Sequence, residues 1–296
     1  MALKVRRLSH ALGAEVCGVD LSKPLDADVM TEIKKIWLES SVIVFPDQEL
    51  TPVQQANFGR YFGPLDTHRA TNSTEYQTPE DPAVWIVTNR DVNGKPSQTR
   101  EIGRLWHSDH SFTTKPTLAT MLYCVEMPKV GGTTMFTNMY MAYEALSAGM
   151  KKLIDNLEAV HSWAQYVRTN PYISVRNQAD VARHDKESPP VVQPVVRVHP
   201  ETGRKALYIT EGFTSQFVGM TEEESHGLLS YLLEHSVKPE FTYRHFWTPK
   251  ECLMWDNRCT AHLALKDYEH GVGGNRHMHR VTVEGSSEGR LYSAAQ

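Results

Sequence analysis

The most restrictive feature of this sequence is an uninterrupted apolar run, Val-Ile-Val-Phe at residues 42–45, between Ser41 and Pro46. A strand with one face in water alternates apolar and polar residues, whereas a strand that is buried on both faces does not. The run therefore predicts a strand inside a sheet that further layers cover on both sides. A chain of 296 residues is long enough to bury such a core.

Helices are predicted early in the chain and in two later regions. Asp26 precedes an apolar stripe with helical spacing, and Thr51 precedes a proline at the first helical position. Thr221 and Glu224 form a capping box that opens another helix. We also predict a helical region over residues 140–157, whose second half carries an apolar stripe of Met150, Leu153, Ile154 and Leu157.

Strands are predicted in the middle of the chain and through its last third. They cover residues 118–125, a hairpin of 195–198 with 206–209, and residues 241–247, 251–255 and 276–283. No repeat or linker interrupts the chain, so we expect a single domain over residues 1–296. The expected fold is mainly β with flanking helices, and a jelly-roll barrel is one such architecture.

Composition narrows the classes of partner. A formal net charge of −4 gives no basic field for nucleic acid or for an anionic membrane surface, so we expect neither partner. No secretory signal or long apolar span is visible, so we expect a cytoplasmic protein. The sequence leaves the oligomeric state open, and a homo-oligomer is one possibility. The cysteines lack Cys-x-x-Cys spacing and lie among apolar neighbours, so we expect reduced core thiols at Cys17, Cys124, Cys252 and Cys259.

The pattern Trp106-His107-Ser108-Asp109 is the first sign of chemistry. Residues two apart on an extended segment point the same way, so His107 and Asp109 share a side. One imidazole and one carboxylate are two thirds of the facial triad that holds Fe(II) in non-haem oxygenases. In a chain with 14 histidines and 35 acidic residues, the pattern alone does not separate a metal site from a chance match.

Two downstream segments strengthen the metal hypothesis. His262 follows an apolar strand and a polar turn, 153 residues after Asp109, and is a third ligand or a structural histidine. On a strand, Arg276 and Arg280 share one face, whereas His277 and His279 share the other. Arginine binds carboxylates through two parallel hydrogen bonds, so the pair predicts an anion-binding wall; the alternative is a solvated basic edge strand.

Taken together in this order, these motifs resemble the taurine dioxygenase and 2,4-dichlorophenoxyacetate dioxygenase family of Fe(II)/2-oxoglutarate enzymes. The resemblance runs along almost the whole chain. It rests on the segments Gly13-Ala14-Glu15-Val16, Val19-Asp20-Leu21, Phe62-Gly63-Pro64-Leu65, Trp106-His107-Ser108-Asp109, Gly131-Gly132-Thr133-Thr134, His199-Pro200-Glu201-Thr202-Gly203-Arg204-Lys205, Trp255-Asp256-Asn257-Arg258 and Met278-His279-Arg280.

The resemblance implies a double-stranded β-helix (a cupin-like jelly roll) with Fe(II) as cofactor, and with 2-oxoglutarate and O2 as cosubstrates. Its iron ligands would be His107, Asp109 and His262. Thr134, rather than Thr133, would bind the distal carboxylate of 2-oxoglutarate together with Arg276. Arg280 would meet an anionic group of the substrate or the chelated carboxylate of 2-oxoglutarate. The implied reaction hydroxylates a small organic anion, a sulfonate or carboxylate, with possible C–S or C–O cleavage, and releases succinate and CO2.

The resemblance constrains the substrate less than the metal. His68 matches a histidine that contacts the sulfonate in taurine enzymes, which makes it a candidate substrate-binding residue. Thr71 and Gly103, however, replace a tyrosine and an asparagine of the taurine-type pocket, so a bulkier sulfonate or carboxylate fits better than taurine. His110 is expected to face outward.

Two other functions use the same residues. A zinc hydrolase could use the same three ligands, because histidine and carboxylate also suit zinc. A catalytically silent metal-binding or ligand-binding module could keep the fold without the activity. The hydrolase leaves the arginine pair and Thr134 without a role, so we expect the dioxygenase.

Overall fold

The apolar run at residues 42–45 forms a fully buried strand, in a computed structural model that describes residues 3–67, 74–171, 186–268 and 274–293. The α-helices are α1 (Ala27–Ser40), α2 (Pro52–Arg60), α3 (Met139–Glu144), α4 (Ala148–Ile154), α5 (Trp163–Thr169) and α6 (Glu222–Ser236), with short 3-10 turns at Thr74–Tyr76, Gln98–Glu101 and Pro239–Phe241. The strands are β1 (Lys4–Arg7), β2 (Ala14–Cys17), β3 (Val42–Phe45), β4 (Val84–Thr88), β5 (Ala119–Glu126), β6 (Thr134–Asn138), β7 (Glu158–His161), β8 (Val191–Pro194), β9 (Val196–Val198), β10 (Lys205–Leu207), β11 (Thr214–Phe217), β12 (Thr242–His245), β13 (Cys252–Asp256), β14 (Thr260–Ala264), β15 (His277–Val283) and β16 (Arg290–Leu291).

The main sheet has seven strands in the order β1-β2-β3-β13-β5-β15-β4. Strand β3 lies in its interior, parallel to β2 and antiparallel to β13. The prediction of a strand covered on both faces is therefore confirmed. Strand β15 also has neighbours on both sides, β5 and β4, which excludes the alternative of a solvated basic edge strand.

The two faces of the main sheet pack against different layers. One face packs on α1 and α2, with a core that includes Ile33, Trp37, Ile43, Phe45 and Phe58. The other faces the three-stranded sheet β12-β6-β14, with a core that includes Val44, Phe136, Trp247, Leu253 and Trp255. The expected mainly β fold with flanking helices is confirmed, and the space between the two sheets holds the candidate site.

The remaining strands form a smaller layer that closes this space. The sheet β11-β7-β8-β16 and the hairpin β9–β10 pack with α3 and α6. The hairpin is as predicted, with Val198 opposite Lys205 and Val196 opposite Leu207. The capping box of α6 is confirmed in both directions, since the Glu224 backbone N–H donates to Thr221 Oγ1 and the Thr221 N–H donates to Glu224 Oε2.

The prediction of a helical region over residues 140–157 was wrong in one respect, because the region is not one continuous helix. The region forms two short helices, because Asn138 caps α3 and Ser147 caps α4 with their side-chain oxygens. Leu153 is 56% exposed, so only part of the proposed apolar stripe faces the core. The sequence analysis did not predict strands β1, β6, β7, β8, β11, β14 and β16.

The cysteines are free thiols, as predicted. Cys124, Cys252 and Cys259 are buried and Cys17 is half-buried. Burial raises the pKa of Cys124 and of Cys252 to about 12, so both stay protonated.

No helix within the described ranges is both long and apolar enough to cross a membrane.

A buried ion cluster fixes the turn between β13 and β14. The Asp256 carboxylate accepts hydrogen bonds from Arg258 Nε (2.9 Å) and Nη2 (2.7 Å), and from His199 Nε2 (3.0 Å). Arg258 also pairs with Glu201 at 2.8 Å. Burial would raise the pKa of Asp256, but Arg258 and His199 lower it to about 2, so the carboxylate stays charged.

Asp256→Ala should cost about 3 kcal/mol of unfolding free energy, because it leaves a buried guanidinium without its main partner. Glu201 lies at the exposed end of the same cluster, with a side chain that is 50% exposed. Glu201→Ala is the matched control and should cost less than about 1 kcal/mol. Urea unfolding measures both, and equal losses would contradict the assigned role of Asp256.

Candidate active site

The three side chains His107, Asp109 and His262 lie together between the sheets. Asp109 Oδ1 is 3.8 Å from His107 Nε2 and 3.8 Å from His262 Nε2. One ligand atom from each residue lies within 4.8 Å of the others, and all three residues are buried. The residues that the sequence analysis selected as metal ligands are thus brought into one cluster.

Backbone pairing sets this arrangement. The His107 N–H donates to His262 O (3.0 Å), and the His262 N–H donates to His107 O (2.8 Å). Residues that exchange both bonds in an antiparallel pair present their side chains on one face, and the two imidazole centres are 4.1 Å apart. Strand β14, which carries His262, is therefore the element that completes the cluster.

Both imidazoles are neutral and suited to bind a cation. His107 Nδ1 lies 2.8 Å from the Leu105 carbonyl, which can only accept, so Nδ1 carries the proton and Nε2 keeps its lone pair. His262 Nδ1 is buried and has no hydrogen-bond partner among the described residues. Burial lowers the pKa of His107 and takes that of His262 well below its ordinary value. Neutral imidazole is the form that ligates metals.

Asp109 is ionised and lies beside a cation. Burial would raise its pKa, but the charge of Arg280 holds the pKa below its ordinary range. Arg280 Nη2 lies 2.9 Å from Asp109 Oδ1. Nonetheless, Arg280 Nε and Nη2 are buried and make no well-formed hydrogen bond within the part of the chain that the structure describes. Arg280 thus keeps donor capacity for another anion.

Two neutral imidazoles and one carboxylate on one side of a small space fit a divalent metal ion. Such a set leaves the opposite coordination positions open, as in the facial triad of non-haem Fe(II) oxygenases. The same donors also suit zinc. The donor chemistry alone therefore supports a metal, without selecting between iron and zinc.

A second group of potential ligands, His199, Asp256 and Cys259, is just as compact but does not suit a metal. Arg258 and His199 already use both oxygens of the Asp256 carboxylate. Burial raises the pKa of the Cys259 thiol, so no thiolate is available there. This cluster is structural.

Arg276 is a buried cation directly before β15, the strand that carries Arg280. It is 7% exposed, its Nε donates to Gly132 O (3.2 Å), and no carboxylate among the described residues forms a salt bridge with it. Burial lowers its pKa from the ordinary value, although a guanidinium stays charged. It lines a small cleft together with Arg104, Thr99 and Tyr268. Arg100 lines the same cleft, and three arginines there favour an anionic ligand.

Thr133 and Thr134 differ in their hydrogen-bond partners. The Thr133 hydroxyl donates to Asp267 and accepts from Arg244 Nε (3.1 Å), so it is fully used. The buried Thr134 hydroxyl accepts from Trp247 Nε1 (2.9 Å), and its own proton has no acceptor within the described ranges. Thr134 therefore keeps a free donor two residues from the carbonyl that contacts Arg276.

The predicted alternation of residues along β15 is confirmed. Met278, on the parity of Arg276 and Arg280, packs in the core between the sheets. Val281 and Val283 pack on the helical side. On that side the His279 ring lies 6.4 Å from the Tyr123 ring, so His277 and His279 face away from the metal-ligand cluster.

The structure describes only some of the residues that the sequence assigned to the substrate pocket. His68 and Thr71 lie outside the described residues. Gly103 borders the cluster, since a Cβ there would lie 3.3 Å from His107 Cε1, and its φ of +78° also favours glycine. The outward orientation expected for His110 was wrong: its side chain is 29% exposed and sits 3.7 Å from Asp66, and burial lowers its pKa.

An aromatic cluster beside His107 was missed from the sequence. Phe213 lies 5.9 Å from the His107 ring and 4.8 Å from Phe112, and the Gly103 N–H donates to the Tyr166 hydroxyl (2.9 Å). Trp163 stacks on Tyr166 at 5.2 Å. The only sequence signal was the spacing of Trp163 and Tyr166 on one helical face; the other members come from distant segments.

Comparison with known proteins agrees with this geometry. The model of the family described as "Taurine catabolism dioxygenase TauD, TfdA family" matches residues 4–282. An alpha-ketoglutarate-dependent 2,4-dichlorophenoxyacetate dioxygenase of Cupriavidus pinatubonensis is 32% identical, over 96% of this chain and 98% of its own. The (S)-phenoxypropionate/alpha-ketoglutarate-dioxygenase of Sphingobium herbicidovorans is 32% identical over 89% of each chain.

A solved structure shares the fold as well. The crystal structure of AAD-2 in complex with Mn(II) and N-oxalylglycine has a TM-score of 0.86 and 31% identity, and the match covers 97% of this chain and 99% of that one. The expected jelly-roll fold is therefore confirmed. With a family match that spans nearly the whole sequence, the chain belongs to the TauD, TfdA family of dioxygenases.

Proposed function

We propose that this protein is an Fe(II)- and 2-oxoglutarate-dependent dioxygenase that hydroxylates a small organic anion. The observation that carries the proposal is a two-histidine, one-carboxylate cluster beside Arg280, whose buried Nε and Nη2 make no well-formed hydrogen bond among the described residues, together with a second buried arginine, Arg276. The family match over residues 4–282 supports both the activity and a single domain.

His107, Asp109 and His262 would hold the iron. Three protein ligands leave positions for a bidentate 2-oxoacid and for O2. When bound, Fe(II) supplies the oxidative decarboxylation of 2-oxoglutarate to succinate and CO2, coupled to hydroxylation of a substrate carbon. The protein groups orient the two organic anions and exclude water.

Arg276 and Thr134 would bind the distal carboxylate of 2-oxoglutarate. A buried guanidinium without a carboxylate partner is costly unless a ligand supplies the anion. Thr134 adds a hydroxyl donor two residues after Gly132, whose carbonyl accepts from Arg276. N-oxalylglycine, which is bound in the related AAD-2 structure, differs from 2-oxoglutarate only by an NH in place of a CH2 group.

The second anion would be the substrate. Arg280 has two buried donors without hydrogen-bond partners next to Asp109, where a substrate carboxylate or the chelated carboxylate of 2-oxoglutarate would lie. His68 stays a proposed substrate contact on the resemblance alone.

The aromatic cluster favours an aryl substrate over taurine. Phe112, Phe213, Trp163 and Tyr166 pack together beside His107, and Gly103 borders the His107 ring without a side chain. Phenoxyacetate and phenoxypropionate are named for relatives that match this chain along most of its length. We therefore propose phenoxyalkanoate-like carboxylates as the substrate class.

Anaerobic addition of Fe(II) and 2-oxoglutarate to the purified protein should produce a visible metal-to-ligand charge-transfer band, because the three ligands leave room for bidentate chelation. His262→Ala is the control and should lose the band while keeping the circular dichroism spectrum. No band in the wild type, with zinc bound tightly instead, would favour the hydrolase.

Arg276→Ala should raise the KM for 2-oxoglutarate by about 10- to 100-fold, since hydrogen bonds to a charged group contribute about 1.5–3 kcal/mol. Arg204→Ala is the control, because Arg204 is an exposed arginine that pairs with Glu144 away from the cleft. Succinate release at varied 2-oxoglutarate gives both values. An unchanged KM in Arg276→Ala would move the carboxylate-binding role to another residue, Arg280 first.

A panel of organic anions tests the substrate class. Succinate release should be stimulated most by 2,4-dichlorophenoxyacetate and 2-phenoxypropionate, because their rings can pack on the aromatic cluster. Taurine and longer alkanesulfonates are the comparison compounds. Stimulation by taurine above every phenoxyalkanoate would contradict the proposed substrate class and leave the cofactor assignment intact.

A further inference from the structure

We propose that Thr120 and Asn257 are positioning residues that decide which oxygen of Asp109 faces the metal, an inference that rests on the metal centre proposed above. Thr120 binds the Asp109 carboxylate directly, whereas Asn257 binds the Thr120 hydroxyl and the Asp109 backbone N–H.

Thr120 binds one oxygen of Asp109. Its hydroxyl donates to Asp109 Oδ2 at 2.7 Å. The other oxygen, Oδ1, is the one that lies 3.8 Å from both His107 Nε2 and His262 Nε2. The hydrogen bond therefore leaves Oδ1, which also pairs with Arg280 Nη2 at 2.9 Å, as the oxygen that faces the two histidines.

Asn257 fixes the direction of the Thr120 hydroxyl. Its Nδ2 donates to Thr120 Oγ1 at 3.1 Å, so the single hydroxyl proton is left to point at Asp109. Its Oδ1 accepts from the Asp109 N–H (3.1 Å) and from Trp255 Nε1 (3.0 Å). A flipped amide would set its NH2 group against two N–H donors, so only one orientation satisfies every group.

Burial makes this network rigid. Thr120 and Asn257 are 0% exposed and Trp255 is 2% exposed, so water cannot replace a lost partner. Thr120 lies directly opposite Trp255 across the β5–β13 pair. Asn257 sits in the turn that the Asp256–Arg258 ion cluster holds. The network thus joins Asp109 to two interior strands of the main sheet, β5 and β13.

One-oxygen ligation has a functional consequence. A carboxylate held by Oδ2 can offer one donor atom, so it takes one coordination position and leaves the rest for the 2-oxoacid and O2. Without the hydrogen bond from Thr120, the Asp109 carboxylate could rotate. It could then offer both oxygens to the metal, or turn both away from it. Partners that orient a metal ligand in this way typically contribute about 10- to 100-fold in metal affinity.

The test measures binding of Co(II) by its visible absorption spectrum, and thermal stability of the metal-free protein, in three variants. Thr120→Val keeps the shape but removes the donor and should weaken Co(II) binding by about 10- to 100-fold. Thr120→Ser keeps the hydroxyl and should stay near the wild-type affinity. Thr282→Val is the matched control, since Thr282 is buried opposite Thr120 in the β15–β5 pair and its hydroxyl has no partner among the described residues.

Asn257→Ala gives a second route if Thr120→Val does not fold. It frees the Thr120 hydroxyl and the Asp109 N–H, and should also weaken Co(II) binding. Wild-type Co(II) affinity in Thr120→Val or in Asn257→Ala, or equal weakening in Thr282→Val, would overturn the positioning role while the metal centre stands. Failure of the wild type to bind Co(II) would overturn both.

Discussion

The reciprocal pair of backbone hydrogen bonds between His107 and His262 is the constraint on which the site depends. These residues are 155 positions apart in the sequence, and the bonds of 3.0 Å and 2.8 Å bring them face to face. Once they are paired, both imidazoles project to the same side, and Asp109, two residues on, joins them. The main sheet, the small sheet and the turn before β14 all serve to hold this one register.

Charge balance explains why the site should take two organic anions. Asp109 is an ionised carboxylate between neutral histidines, with Arg280 of β15 at 2.9 Å and the buried Arg276 directly before that strand. A divalent cation at the cluster would add to this excess of positive charge. Anionic ligands would offset it, and the free donors of Arg280 and Thr134 are placed to receive them.

Local patterns in the sequence predicted much of this arrangement. The apolar run at residues 42–45 located the interior of the sheet, and strand alternation placed Arg276 and Arg280 on one face. Strand β14 escaped prediction because its five residues, TAHLA, mix polar and apolar types without a period and follow directly on a turn. The aromatic cluster and the Thr120–Asn257 network could not be predicted, since they join side chains from segments that meet only after folding. The roles of Thr134 and His68 came from family resemblance, and no local pattern indicates them.

The central claim is that one metal ion binds His107, Asp109 and His262 while a 2-oxoacid bridges from it to Arg276. A crystal structure of the protein with Mn(II) and N-oxalylglycine, with anomalous scattering recorded for manganese, tests it most directly. We expect one anomalous peak bonded to both Nε2 atoms and to Asp109 Oδ1, and the distal carboxylate of N-oxalylglycine on Arg276 and Thr134. A manganese peak at His199, Asp256 and Cys259, or an N-oxalylglycine carboxylate bound away from Arg276, would contradict the claim.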